Sequence, residues 1–126
     1  MSYINKRNEY INVNGLKIAY REINKGKSER PLVMLVHLAA TMDNWDPKFI
    51  DLVAEKHHII LLDLPGVGGS EGKVATTIPG MAQQAIDIIK ELGYSKINLL
   101  GLSMGGMIAQ EVTRLNNDLV EKLILV

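Results

Sequence analysis

A chain of 126 residues has the size of one domain, and 47% apolar residues are enough to bury a core. Lys and Arg number 14 and so do Asp and Glu, so the net charge is zero and nothing in it argues for nucleic acid or an anionic membrane as partner. Cysteine is absent, which excludes disulfides and thiolate metal sites; no apolar run approaches a membrane span, and the polar first ten residues lack the apolar stretch of a secretory signal, so the expected setting is cytoplasmic.

Residues 9–13 and 16–21 read as two short strands, and the Asn14-Gly15 pair between them is a strong hairpin signal. Residues 25–31 form a polar connector. Residues 32–37, LVMLVH, are a continuous apolar run, as a strand covered on both faces requires. After a loop, Asp46-Pro47 has the pattern of an N-cap followed by proline at the first helical position. Phe49, Ile50 and Val53 then give a short helix its apolar face. Residues 58–64 are the next buried strand and run into the turn-rich PGVGGSEG. Residues 78–92 form an amphipathic helix with Met81, Ala85, Ile88, Ile89 and Leu92 in its stripe, and Gly93 supplies a left-handed stop. A strand over residues 96–100, a helix over 106–115 and a last apolar strand over 121–126 complete the chain. Strands alternating with helices after a hairpin predict an α/β fold: a mostly parallel sheet, helices on both faces and an antiparallel N-terminal hairpin, in a single domain over residues 1–126.

Between the strand at 96–100 and the helix at 106–115 lies Gly101-Leu102-Ser103-Met104-Gly105, a G-x-S-x-G. A serine on a sharp strand-to-helix turn is pushed out of the backbone, its hydroxyl exposed at the C-terminal edge of the sheet. Gly101 and Gly105 flank it because a larger side chain would collide with the neighbouring strand and helix in so tight a bend. The helix that follows aims its first free N–H groups and the positive end of its dipole at the same spot, where negative charge is stabilised. The competing reading is a glycine-rich turn whose serine merely caps a helix.

In these residues the chain resembles the α/β-hydrolase fold family. The resemblance covers nearly the whole chain and rests on the N-terminal hairpin, Leu35-Val36-His37 ending the third strand, DLPGVGGS after the fourth and GLSMGG after the fifth. It implies a serine-nucleophile branch, which includes esterases, peptidases, carbon–carbon bond hydrolases and cofactor-free haloperoxidases. The aspartate-nucleophile branches, among them epoxide hydrolases, are disfavoured by the serine at 103. By resemblance, Ser103 is the nucleophile, the Met104 N–H is one oxyanion donor and the Ala39 N–H the second, while His37 orders the oxyanion loop. Leu38 departs from the family pattern, which has glycine there. The implied reaction is cleavage of a carboxylic ester or related acyl bond of a small molecule through an acyl-serine, with no cofactor and no metal. A non-catalytic hydrolase-like binding or assembly module is the alternative, as is a parent enzyme that transfers acyl groups or halogenates.

A serine hydroxyl needs a base, and the base an orienting acid. In this family both follow the serine, in the order acid then histidine. No histidine follows Ser103 here, so the chain is expected to be a truncated, N-terminal half of the fold, lacking the late strands and cap, and inactive by itself. His57 and His58 begin the fourth strand, roughly 20 Å from Ser103 across the sheet, and are expected to be solvated turn residues. Asp63 is expected to order its loop by accepting backbone N–H groups. Met42 and Trp45 fit an acyl pocket or core packing equally well. PGVGGSEGKV fails as a phosphate loop, with Val67 at a required glycine and Val74 where Ser or Thr should stand. It fails as a dinucleotide fingerprint because Glu71 stands at the third glycine. The strand at residues 121–126 would leave an open apolar edge, which predicts self-association.

Overall fold

The computed structural model describes residues 7–35, 42 and 45–126. Its elements in chain order are β1 (Glu9–Val13), β2 (Leu16–Ile23), β3 (Leu32–Leu35), α1 (Pro47–Ala54), β4 (Ile59–Leu62), α2 (Ile78–Glu91), β5 (Ile97–Gly101), α3 (Met104–Leu115) and β6 (Val120–Leu125). Asn14 and Gly15 both take positive φ, 53° and 83°, as a two-residue hairpin turn with the twist of its strands requires. Asp46 caps α1, its carboxylate accepting the Lys48 N–H at 2.9 Å ahead of Pro47. Thr77 caps α2 in the same way, accepting the Gly80 N–H at 3.0 Å, and Gly93 follows α2 with φ 94°.

The six strands form one sheet in the order β1-β2-β4-β3-β5-β6. The pairs β1–β2 and β2–β4 are antiparallel; β4–β3, β3–β5 and β5–β6 are parallel. The central strands β3 and β4 are buried along their whole length, which is why they read as unbroken apolar runs. Alternate residues point to opposite faces. Val33, Leu35, Ile60, Leu62 and Leu99 pack with α2 and α3. Leu32, Met34, Ile59, Leu61 and Leu100 pack with Ile50 and Ala54 of α1 and with Met42 and Trp45. Helices therefore lie on both faces, as expected, and Met42 and Trp45 are core residues. No described helix is long and apolar enough to cross a membrane.

Two expectations are corrected. Phe49 is 38% exposed and lies outside the buried face of α1, which is made by Ile50 and Ala54; its ring stacks on Trp45 at 6.2 Å instead. His58 is not a solvated turn residue: it is 4% exposed. Its Nε2 lies 2.6 Å from a Glu22 carboxylate oxygen, the same oxygen accepts the Tyr94 hydroxyl, and the two rings meet edge-on at 5.6 Å. A buried polar group is tolerated when it is hydrogen-bonded, and here three distant segments close around one carboxylate.

Burial, the hydrogen bond to Glu22 and the charges of Glu22 and Tyr20 all push the Tyr94 phenol up from its ordinary 10.0. The unfolded chain would therefore ionise first. The stability this tie contributes is complete below pH 10 and is withdrawn as pH rises above it. Thermal melts run upward from pH 10 should fall more steeply for the native chain than for Tyr94→Phe. Equal slopes would move the effect to Tyr20, whose phenol is also raised by burial and by Glu9 and Glu22.

Candidate functional site

The chain goes from β3 outward to β4 on one side, then returns to lay β5 on the other side of β3. Connections that diverge from neighbouring parallel strands open a crevice at the strands' C-terminal ends, where open α/β sheets place their ligands. Here that point lies between β3 and β5, where Leu35 is in register with Gly101 and its carbonyl accepts the Leu102 N–H at 3.0 Å. The next residue is Ser103.

Ser103 has φ 57° and ψ −122°, a conformation that residues with a side chain rarely adopt and that costs about 1–3 kcal/mol. The turn is held on each side. Val126 accepts the Ser103 N–H at 3.3 Å, Leu102 accepts the Gly105 N–H and Ser103 the Gly106 N–H, both at 2.9 Å. Ser103 stands at the N-cap position of α3, yet its side chain makes no capping hydrogen bond. The capping alternative therefore does not describe it, and the side chain is exposed. Met104 is the first residue of α3, so its N–H is one of the donors a helix leaves without an internal acceptor. Gly101 and Gly105 are buried where β5 meets α3. A Cβ on Gly101 would lie 2.5 Å from the Gly105 carbonyl oxygen and 2.6 Å from the Gly106 Cα, which is the physical reason for glycine there.

Asp63 follows β4 on the same rim and is buried. Its carboxylate accepts the Met42 N–H at 2.9 Å and the Gly69 N–H at 3.0 Å, so it ties Met42 to the loop after β4 by accepting backbone N–H groups, as its sequence position suggests. His37 and Ala39 lie outside the described residues. His58 is at the far end of the sheet, where its carbonyl accepts the N–H of Leu32, the first residue of β3. It does not approach Ser103. His57 is exposed. Two grooves of about 330 and 390 Å³ also lie at that far end, around Tyr94 and Ser95. The structure thus puts Gly101, Ser103, Met104 and Gly105 together at the switch point. Among the described residues no three His, Asp or Glu side chains converge as a metal site would need. The Glu22–His58–Tyr94 tie was not legible, because no local pattern joins residues so far apart in the chain.

A family model described as alpha/beta hydrolase fold matches residues 31–126. The esterase YbfF of Escherichia coli is 31% identical over 96 residues, which are 76% of this chain and 37% of that protein. A soluble epoxide hydrolase of a Corynebacterium species is 32% identical over 115 residues, 90% of this chain and 38% of that protein. Among solved structures, an alpha/beta hydrolase fold protein from Chitinophaga pinensis superposes with a TM-score of 0.95 at 32% identity, over 100% of this chain and 46% of that one. The chain thus spans little more than a third of the curated relatives quoted and under half of this solved structure.

Proposed function

Since the chain belongs to the α/β-hydrolase fold family and corresponds to the N-terminal half of that fold, we propose that Ser103 is the nucleophile of a serine hydrolase that cleaves a carboxylic ester or related acyl bond. The observation that carries this reading is the Ser103 backbone, held at φ 57° with an exposed, uncapped side chain on the turn into α3. Strain of this kind persists only where surrounding structure imposes it, and it gathers at functional sites. The serine at 103 also favours the esterase-like relatives over the epoxide hydrolases as the guide to chemistry.

In the proposed reaction the Ser103 Oγ attacks the acyl carbon and passes its proton to a base. The carbonyl electron pair moves onto oxygen, beside the Met104 N–H. The carbon–oxygen bond to the leaving alcohol then breaks, and the base returns the proton to that alcohol. Water repeats the sequence and frees the acid. A second oxyanion donor at Ala39, with His37 ordering its loop, belongs to the same proposal. One well-aimed donor contributes on the order of 3 kcal/mol to lowering the barrier. Neither histidine among the described residues stands beside Ser103 to act as its base. His58 is occupied with Glu22 at the far end of the sheet, and the relatives' remaining length is where an acid and a histidine would come from.

These 126 residues alone should therefore release at most one equivalent of p-nitrophenol from p-nitrophenyl acetate, with no turnover. A fluorophosphonate probe should label Ser103 slowly and stoichiometrically, and Ser103→Ala should abolish the label, as read by intact mass. Silence from a folded native chain would replace this reading with that of a hydrolase-like binding module.

A further inference from the structure

The end of the sheet opposite Ser103 carries a groove that the serine chemistry does not use. Its volume is about 390 Å³, within the roughly 300–1,000 Å³ that small-molecule sites occupy. Its wall comes from three places: the connector between β2 and β3, the start of β4 and the turn between α2 and β5. Hydrogen bonds fasten all three. The His58 carbonyl accepts the Leu32 N–H at 2.7 Å, the Ser28 hydroxyl accepts the His58 N–H at 3.1 Å, and the Pro31 carbonyl accepts the Asn98 N–H at 3.0 Å. Side chains mounted on fixed strand ends are preorganised for a ligand. The second groove at this end, of about 330 Å³, shares Gly93, Tyr94 and Ser95 with the first and continues to Leu119, so Tyr94 belongs to the wall of both.

The first groove is unevenly charged although the whole chain is neutral. Lys25 and Lys96 line it, and neither makes an ion pair among the described residues. Arg30 lines it too but is engaged by Glu29 and Glu121. His58 is the buried polar group of the wall, 4% exposed. Its Nε2 faces the Glu22 oxygen that also accepts the Tyr94 hydroxyl, and an oxygen accepting on both sides requires Nε2 to be the N–H nitrogen. The ring nitrogen left for a ligand is therefore Nδ1, which accepts a proton when the ring is neutral and donates one when it is charged. A phosphate monoester, with its second ionisation near pH ~6, answers both states, offering P–OH to the neutral ring and P–O⁻ to the charged one. Sulfate and carboxylates at neutral pH only accept.

The geometry points to a binding site for a small organic phosphate at this end of the sheet. The phosphoryl group lies between the Lys25 and Lys96 ammonium groups and meets His58 at Nδ1. The carbon body runs along Tyr94 into the second groove, toward Leu119. The charges favour the head of the ligand in the first groove, because the second contributes one group of each sign, Lys90 and Asp118. Two lysines act as point charges on the phosphate, and the Glu22 carboxylate fixes the imidazole that sorts it from other anions. No bond is made or broken, and the site is independent of the role given to Ser103.

The test titrates the chain by calorimetry with phenyl phosphate, inorganic phosphate and sulfate, at neutral pH and one ionic strength. Phenyl phosphate should bind about 10-fold more tightly than inorganic phosphate, through its ring on Tyr94, and inorganic phosphate about 10-fold more tightly than sulfate. Lys25→Gln and Lys96→Gln, at exposed positions where folding is not at stake, should each weaken phenyl phosphate by about 5-fold. Lys48→Gln on α1 and Ser103→Ala should leave it unchanged. His58→Gln should abolish the preference for phosphate over sulfate. Should that variant fail to fold, the ring proton resonances of His58 in the native chain read the same contact, moving with phosphate and staying in place with sulfate. Sulfate and phosphate binding alike, or binding indifferent to both lysine substitutions, would mean an adventitious ion only and overturn the site. Inorganic phosphate binding as tightly as phenyl phosphate would overturn the place given to Tyr94 and make the ligand free phosphate.

Discussion

Gly101→Ala should destabilise this fold by about 3–4 kcal/mol, a large part of what a domain of this size has. The added methyl would stand 2.5 Å from the Gly105 carbonyl oxygen, 2.7 Å from the Gly105 carbonyl carbon and 2.6 Å from the Gly106 Cα. All three are backbone atoms of the first turn of α3, so no rotamer change relieves the overlap. The helix must move, and Ile108, Ala109 and Val112 hold it in the core with none of their surface open to more than a trace of solvent. Interiors packed to crystal-like density transmit such a shift instead of absorbing it. Gly106→Ala, on the helix side of the same contact, is the internal control. Its nearest neighbours would be the Gly101 oxygen at 3.5 Å and a Leu125 methyl at 3.6 Å, ordinary contacts, and alanine is the better helix former by about 1 kcal/mol. Urea unfolding should show a lower midpoint at unchanged slope for Gly101→Ala and a midpoint equal to or above native for Gly106→Ala. Equal losses at both positions would mean that the G-x-S-x-G spacing is not set by this contact.

The same pair of glycines shows what the sequence makes legible. A turn announces itself locally. Asn14-Gly15, Asp46-Pro47, Gly93 and the elbow at Ser103 were all readable because each states a backbone conformation that few other residues accept. The parallel core was readable because β3 and β4 must be apolar on both faces. What the sequence withholds is whatever depends on partners far away in the chain. Nothing in HHIILLD indicates that β4 sits beside β2 as well as β3, or that Glu22 and Tyr94 will close over His58. Its place at the start of the fourth strand made His58 read as a solvated turn residue, whereas a distant carboxylate makes its burial tolerable. Phe49 fails for a related reason. Helical spacing fixes which side chains share a face, yet in an eight-residue helix the adjoining loop decides how much of that face is covered. Trp45 fills the place beneath the helix, and Phe49 is left stacked on its rim. The nucleophile candidate was legible because G-x-S-x-G is a local backbone device.

Asp63→Ala should cost about 3 kcal/mol, nearly all of it through hydrogen bonds left unmade. The side chain is 3% exposed, and replacing it takes the acceptor from the buried Met42 N–H and the part-buried Gly69 N–H, a loss of about 1–3 kcal/mol for a buried hydrogen bond and less where water can reach the donor. The backbone of the same residue would stay tied. Its N–H reaches the Ala19 carbonyl at 3.1 Å, its carbonyl accepts the Ser70 hydroxyl at 2.5 Å, and that hydroxyl in turn accepts the Ala19 N–H at 2.8 Å. The loss should therefore be local to the two loops, with β2 and β4 still paired. Asp63→Asn separates shape from chemistry. It keeps the volume but converts one acceptor oxygen into a donor, so it should retain one of the two loop contacts and lose about half as much stability. Amide exchange reads the difference directly: Met42 and Gly69 should both exchange at least ~100-fold faster in Asp63→Ala, one of them in Asp63→Asn, and the β1–β2 hairpin amides in neither. Since Met42 belongs to the segment that carries the proposed donor at Ala39, the fluorophosphonate labelling rate at Ser103 should fall along with Met42 protection. Labelling that stays at the native rate in a folded Asp63→Ala chain would separate this carboxylate from the chemistry and leave it a purely architectural tie.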